Sequence, residues 1–240
     1  MFDLEYLKTV VPGFDIRFKA VTGSTNTDLL HDPSARHGSV LIAGQQTSGH
    51  GRMSRPFASP EGGLYMSVLF EPPGPDAALE LTPLSAVATA MAIEDVSCAQ
   101  TGIKWVNDVF IGGKKVSGIL AEAEAGEKLR VVLGIGVNVF EPDGGFPPEL
   151  RGIAGAVLHD VRERAREDIA AAILKHLFAG GDTYSEYVRR SIVIGRDVTV
   201  HHGAEVYPAH VTGIDRNYRL VVEHDGKTEA LDSGEISVKL

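Results

Sequence analysis

A single cysteine, Cys98, among 240 residues excludes an intrachain disulfide framework, and no Cys/His grouping has the spacing of a structural metal site. Positive charge is also scarce: 23 Lys and Arg stand against 32 Asp and Glu, a formal net charge of −9. That balance argues against broad electrostatic adhesion to nucleic acid or to an anionic membrane. No apolar run approaches the roughly 20 residues that a bilayer span requires. The N-terminal stretch MFDLEYLKTVVPGFD is acidic and broken by Pro12, unlike a secretory signal. Internal repeats and low-complexity tracts are missing too. These absences leave a soluble, cytoplasmic protein as the expectation. What is present suffices for a buried core, since 43% of the residues are hydrophobic.

The length fits one large domain, or a larger one with a small appendage. DIRFKAV (15–21) has the pattern of a strand, and in the following GSTNTDLLHD the spacing of Thr25 and Asp28 predicts a short helix with a capping-box-like start. SVLIAGQ (39–45) and LYMSVLFE (64–71) are apolar strands. LTPLSAVATAMAIEDVS (81–97) places Leu84, Val87, Ala88, Met91 and Ala92 at helical spacing. IKWVNDVFI (103–111), KVSGILAEAE (115–124) and RVVLGIGVNVF (130–140) are predicted as three strands in consecutive hairpins, separated by the turns IGGKK and EAGEK. REDIAAAILKHLFAG and DTYSEYVRR are helical. From about Ile192 only short strands follow (DVTVHH, EVYPAHVTGI, RLVVEH, KTEALD, EISVKL), the pattern of a small antiparallel barrel of about 45 residues. The boundary is expected near 190–194.

Three segments stand out chemically. GQQTSGHGRMSRPFASPEGG (44–63) joins two apolar strands with a polar, basic, Gly-rich loop. Glycines let backbone N–H groups approach phosphate oxygens, and arginines supply a permanent forked charge. The pattern is neither a P-loop nor a dinucleotide-binding fingerprint. A solvated surface loop is the bland alternative, but irregular loops this long in compact domains tend to be lids or binding loops. In IKWVNDVFIGGKKVSGIL, period-2 alternation puts Lys104, Val106 and Asp108 on one face and Trp105, Asn107 and Val109 on the other. Lysines at strand ends are ordinarily solvated, and Trp105 is most economically core. In GIGVNV the glycines imply a close backbone approach or a bulge, and Asn138 is a polar side chain that must find partners.

In their order along the chain, GSTN, QTSGHGRMSRPFASP, KWVND, KKVSGIL and GIGVNV resemble the biotin protein ligases over nearly the whole length, the all-β tail included. The family's loop motif, G-R-G-R-x-G-R-x-W, reads Gly49-His50-Gly51-Arg52-Met53-Ser54-Arg55-Pro56-Phe57 here, with His50, Ser54 and Phe57 as departures; Val106 stands where K-W-P-N-D has proline. His50 can still donate a hydrogen bond, but its charge depends on pH.

The resemblance implies an α/β fold: a mixed sheet with flanking helices like the class II synthetase catalytic domains (1–191), followed by an SH3-like barrel (192–240). It implies ATP-dependent activation of biotin to biotinyl-5′-AMP and transfer of the biotinyl group to a lysine of a biotin carboxyl carrier protein, in a monofunctional ligase. Carried over by motif, Ser24, Thr25, Asn26, Gln46, Gly51, Arg52, Lys115 and Gly118 would bind biotin. His50, Gly51, Arg52, Arg55, Lys104, Asn107 and Asn138 would bind ATP and the adenylate, and Arg52 and Lys115 would be catalytic. Mg²⁺ would arrive with ATP, near Asp108 and Asn138, without a protein cage. The basic loop would close as a lid over the mixed anhydride. Lipoate ligase or octanoyltransferase chemistry on a related fold is the enzymatic alternative, though the loop and KWVND favour biotin. A non-enzymatic nucleic-acid binder is disfavoured by charge, and the roughly 14 residues before the first strand are too few for a helix-turn-helix module. A homodimer is compatible with the resemblance.

Overall fold

The computed structural model describes residues 2–203 and 205–238. In chain order the elements are α1 (Leu4–Val10), β1 (Ile16–Thr22), α2 (Thr25–Leu30), β2 (Val40–Gln46), β3 (Leu64–Phe70), α3 (Pro75–Leu79), α4 (Leu81–Ser97), β4 (Gly102–Lys104), β5 (Asp108–Ile111), β6 (Lys114–Ala125), β7 (Leu129–Val137), α5 (Ala165–Ala179) and α6 (Thr183–Arg190). The tail adds β8 (Asp197–His202), β9 (Glu205–Ile214), β10 (Leu220–His224), β11 (Lys227–Leu231) and β12 (Glu235–Ser237). The strands form a seven-stranded sheet, β1-β2-β3-β7-β6-β5-β4, and a five-stranded sheet, β11-β10-β9-β8-β12. β1 and β2 pair in parallel and every other neighbouring pair in the larger sheet is antiparallel, so that sheet is mixed, as expected.

Alternation along β7 sets the two faces of the larger sheet. Val131, Leu133, Ile135 and Val137 join the main core with α4 and α5, while Val132 packs with Leu29 of α2, Leu41 and Leu69 in a second cluster. Gly134 and Gly136 share the Val132 face, and their missing side chains leave a shallow floor there. A Cβ at Gly134 would lie 2.4 Å from the Asn26 amide oxygen, and one at Gly136 would lie 2.4 Å from the Phe57 ring. Close approach therefore accounts for both glycines of GIGVNV.

Several expectations need correction. The span 103–111 is not one strand: β4 and β5 form a tight hairpin in which Lys104 pairs with Asp108, and the Trp105–Val106 peptide is cis. The turn is held from three sides. Trp105 Nε1 donates to Tyr218 O at 2.9 Å, Tyr187 Oη donates to Val106 O at 2.8 Å, and Asn107 Nδ2 donates to Ile119 O at 2.6 Å. The cap of α2 is Ser24 rather than Thr25, its hydroxyl accepting from Thr27 N; Asp28 instead takes Lys19 Nζ at 2.7 Å and the Thr22 hydroxyl. The loop after β2 is not structureless. Residues 52–54 make one 3-10 turn, and a His50–Pro56 bridge closes it into a small hairpin. Finally, the 23-residue stretch 75–97 is long and apolar enough, by length and composition, to cross a bilayer. Its α4 portion is nonetheless core: Ala86, Ala90, Ala92 and Ile93 are fully buried and the helix packs on α5. The strand expected over 235–240 ends at Ser237, and residues 239–240 lie outside the described part of the chain, as does the Ser54 side chain.

Candidate active site

A cavity of about 320 Å³ opens on the glycine-floored face of the larger sheet. Ser24, Thr25, Asn26, Gln46, His50, Gly51, Arg52, Arg55, Lys104, Asn107, Asp108, Lys115 and Gly118 all line it, although they are drawn from α2, the loop, the β4–β5 hairpin and β6. The fold thus brings together every site residue expected from sequence except Asn138.

At one end, the start of α2 is tied into a polar network. Thr25 donates to Gln46 Oε1 through both its backbone N (2.9 Å) and its hydroxyl (3.0 Å), and Gln46 Nε2 donates to Ser59 Oγ at 3.0 Å. The buried Ser67 hydroxyl sits 2.7 Å from Thr25 Oγ1 and 2.6 Å from Asn26 Oδ1. Asn26 Nδ2 donates to Glu122 Oε2 at 2.8 Å, and the other oxygen of Glu122 lies 3.2 Å from His50 Nε2. Hydrogen bonding to Glu122, seconded by the Ser48 carbonyl, raises the His50 pKa above its ordinary value. The amide of Asn26 is therefore largely committed to protein partners.

At the other end, cations gather. Lys115 is anchored by its backbone, donating to Ile153 O and accepting from Gly155 N, while its Nζ reaches Asp108 Oδ1 at 2.6 Å. Lys104 stands beside the same carboxylate across the hairpin. Burial lowers its pKa, opposed by Asp108 and reinforced by the Lys115 charge. Arg55 pairs with Glu235 of β12 at 2.5 Å, whereas Arg52 has no carboxylate partner among the described residues. Lys104, Lys115, Arg52 and Arg55 thus face two carboxylates, Asp108 and Glu235, an excess of basic side chains suited to an oligoanion.

Asn138 lies just past the end of β7, not inside a strand, and lines an adjoining apolar pocket of about 130 Å³ with Phe146, Pro147, Leu150, Ile153 and Ala154. Its Nδ2 donates to Gly155 O at 3.1 Å, the partner that a polar group there needed. Pro56, Phe57 and Lys115 border both the pocket and the main cavity.

Several lining or supporting residues escaped the sequence. Glu122 was detectable as a carboxylate in register with the Gly118 face of β6, two residues beyond GIL. Ser59 and Ser67 carry no local signal. Gly234, Glu235, Ile236 and Ser237 line the cavity although the tail holds none of the motifs, because the turn before β12 reaches the loop. The Arg55–Glu235 pair joins that turn to the loop, and with the Arg55 side chain 64% exposed it is worth about 0.5–1 kcal/mol. Glu235→Ala is therefore expected to release the loop from that turn, speeding hydrogen exchange over residues 47–57 about two- to fivefold while exchange in β2 and β3 stays unchanged. Equal acceleration in β2 and β3 would place the tail's effect elsewhere.

A mixed sheet with flanking helices thus presents a glycine floor, a polar slot and a cation cluster under a Gly-rich basic loop. Residues 18–138 match the Biotin/lipoate A/B protein ligase family. The chain is 39% identical over 188 residues to the Bifunctional ligase/repressor BirA of Bacillus subtilis, covering 76% of this chain and 57% of that protein, so it spans little more than half of that relative's length. It is 32% identical over 235 residues to the Biotin--[acetyl-CoA-carboxylase] ligase of Mycobacterium tuberculosis, covering 90% of this chain and 86% of that one. Its fold is similar to that of the biotin protein ligase from Aquifex aeolicus in complex with biotin and ATP, with a TM-score of 0.80 and 24% identity over 93% of this chain and 97% of the other. The chain belongs to the biotin/lipoate A/B protein ligase family.

Proposed function

We propose that this protein activates biotin with ATP, forming biotinyl-5′-AMP and pyrophosphate, and then passes the biotinyl group to a lysine of a biotin carboxyl carrier protein domain. The observation that carries the proposal is the position of Lys115, which borders both the polar cavity and the apolar pocket. A carboxylate in the first and a nucleotide whose base fills the second would meet at its ammonium group.

The ureido ring of biotin offers both donors and acceptors, matching the Ser24, Thr25 and Gln46 end of the cavity. A biotin carboxylate oxygen attacks the α-phosphorus, and the bond to pyrophosphate breaks. Two anions must approach one another, so positioning and charge stabilisation matter more than an acid–base pair. Lys115 holds the carboxylate and then the anhydride oxygens, Lys104 offsets phosphate charge, and Arg52 and His50 close over the acyl phosphate with Gly51. Asn107, whose Nδ2 is bonded to Ile119 O, holds the hairpin and its two charged ends in place. Asn138 keeps its Oδ1 for the exocyclic amine of the base. In the second step the carrier lysine amine attacks the acyl carbon and AMP leaves. Mg²⁺ fits only as a companion of the nucleotide: Asp108 and Glu235 are already paired with Lys115 and Arg55, and among the described residues no group of three or more His, Cys, Asp or Glu forms a metal cage.

Residues 1–191 are the proposed catalytic domain and 192–240 an SH3-like domain; the separate five-stranded sheet supports that division. A cytoplasmic setting and a homodimer belong to the same proposal. Calorimetric titration tests the function. Biotin alone should bind, ATP should follow more tightly with biotin present, and pyrophosphate should appear only with both. Pyrophosphate release driven by lipoate but not by biotin would overturn the assignment.

A further inference from the structure

Glu122 lies two residues beyond KKVSGIL and does not border the cavity, yet its carboxylate spans two parts of the site. Oε2 takes the Asn26 amide at 2.8 Å and Oε1 takes His50 Nε2 at 3.2 Å. The first contact fixes the buried start of α2, where Asn26 is 4% exposed and its amide lies against Gly134. The second fixes a side chain at the root of the loop hairpin, because His50 is also the residue that bridges to Pro56. We infer that Glu122 is a positioning residue that couples the acid-binding end of the cavity to the loop: order at Asn26 fixes the carboxylate, and the carboxylate fixes His50 where the loop closes over the adenylate.

The charged groups around His50 are few. Glu122 on β6 is the charge that bears on it; within the loop are Arg52 and Arg55, the latter paired with Glu235 of β12; α2 contributes Asp28, which is held by Lys19 and Thr22. A protonated His50 makes a charge-assisted bond to Glu122, and a neutral one makes a weaker bond. The contact that raises the His50 pKa favours the closed loop at low pH, and this advantage fades as pH rises through the raised value.

This inference rests on the proposed adenylate chemistry, and the experiment separates the two. The dissociation rate of a non-hydrolysable biotinyl-adenylate analogue is measured between pH 6 and 8.5 for wild type, Glu122→Gln, His50→Ala and the double variant. Wild type is expected to hold the analogue longest at low pH and to release it faster as pH rises. Glu122→Gln keeps an acceptor for Asn26 and the same shape but loses the charge. It should therefore release the analogue about tenfold faster at pH 6, with a flattened profile. The double variant should be no worse than the worse single one, since both remove one link. Independent, multiplying effects, or a wild-type pH slope preserved in Glu122→Gln, would overturn the coupling. A purely structural Glu122 would instead lower biotin affinity at every pH alike. A wild type that binds no adenylate analogue would sink the proposed function itself, and a wild type that binds it with Glu122→Gln indistinguishable sinks only the coupling.

Discussion

Lys115→Ala is expected to slow biotin-dependent pyrophosphate release by about 10² or more, the scale on which a single preorganised charge-stabilising group acts. The expectation follows from where its ammonium sits. Asp108 holds Nζ at 2.6 Å, so the side chain is aimed before any ligand arrives and little reorganisation is left for the reaction. The fold should survive the change. The structural role of Lys115 lies in its backbone bonds to Ile153 and Gly155, which alanine keeps, and the side chain is about one-third exposed.

Lys104 limits the damage and supplies a second readout. Burial lowers its pKa and the neighbouring Lys115 charge lowers it further, while Asp108 raises it. Removing Lys115 deletes one repulsion and frees Asp108, so the remaining lysine holds its proton to higher pH. The alkaline limb of the residual activity should accordingly move upward in Lys115→Ala. In stability the sign is the reverse of an ordinary ion pair. A lysine whose folded pKa is depressed binds fewer protons folded than unfolded, so wild-type stability rises with pH between the lowered value and the unfolded one. Wild-type pyrophosphate release by Lys115→Ala would remove Lys115 from the chemistry altogether.

What the sequence disclosed depended on how local the cause was. Apolar patterning specified β1, β2, β3, β6 and β7, as continuous runs in β2 and β3, which are buried along most of their length, and α4 announced itself by its spacing. GIGVNV was legible as a close approach, although not that Asn26 and Phe57 make it. The β4–β5 hairpin was hidden because IKWVNDVFI alternates well enough for one strand. The turn is imposed by Tyr187, Tyr218 and Ile119, from 12 to 113 residues away in sequence. The same holds for β12, whose three residues have no motif and enter the site only because the smaller sheet folds back on the loop. Motifs found the charged residues that would touch ligand. They missed Glu122, Ser59 and Ser67, which act by holding other side chains.

Arg52→Gly is expected to separate making the adenylate from keeping it. Arg52 lines the cavity at the turn of the loop hairpin, with no carboxylate among the described residues to neutralise it, so an acyl phosphate is its natural partner. The groups proposed to drive the attack on phosphorus, Lys115 and Lys104, lie across the cavity on the sheet and are untouched by the substitution. Without an anion the loop rests on a few side-chain anchors: His50 on Glu122, Arg55 on Glu235 and the Phe57 ring on the glycine floor. Met53 is 76% exposed, and ordering each backbone residue costs about 1–2 kcal/mol, so an anion at Arg52 adds to a hold that is only partial. Without Arg52 the variant should still consume biotin and ATP, while the mixed anhydride escapes before a carrier domain arrives. Free biotinyl-AMP acylates any accessible lysine amine, so albumin added to the reaction should become biotinylated by Arg52→Gly and not by wild type. Hydrogen exchange over residues 47–57 gives the matching physical signature: fast exchange without ligand, slowed by a non-hydrolysable adenylate analogue in wild type and much less in the variant. Carrier-only labelling by Arg52→Gly, together with a loop already protected without ligand, would show a preformed wall in place of a lid.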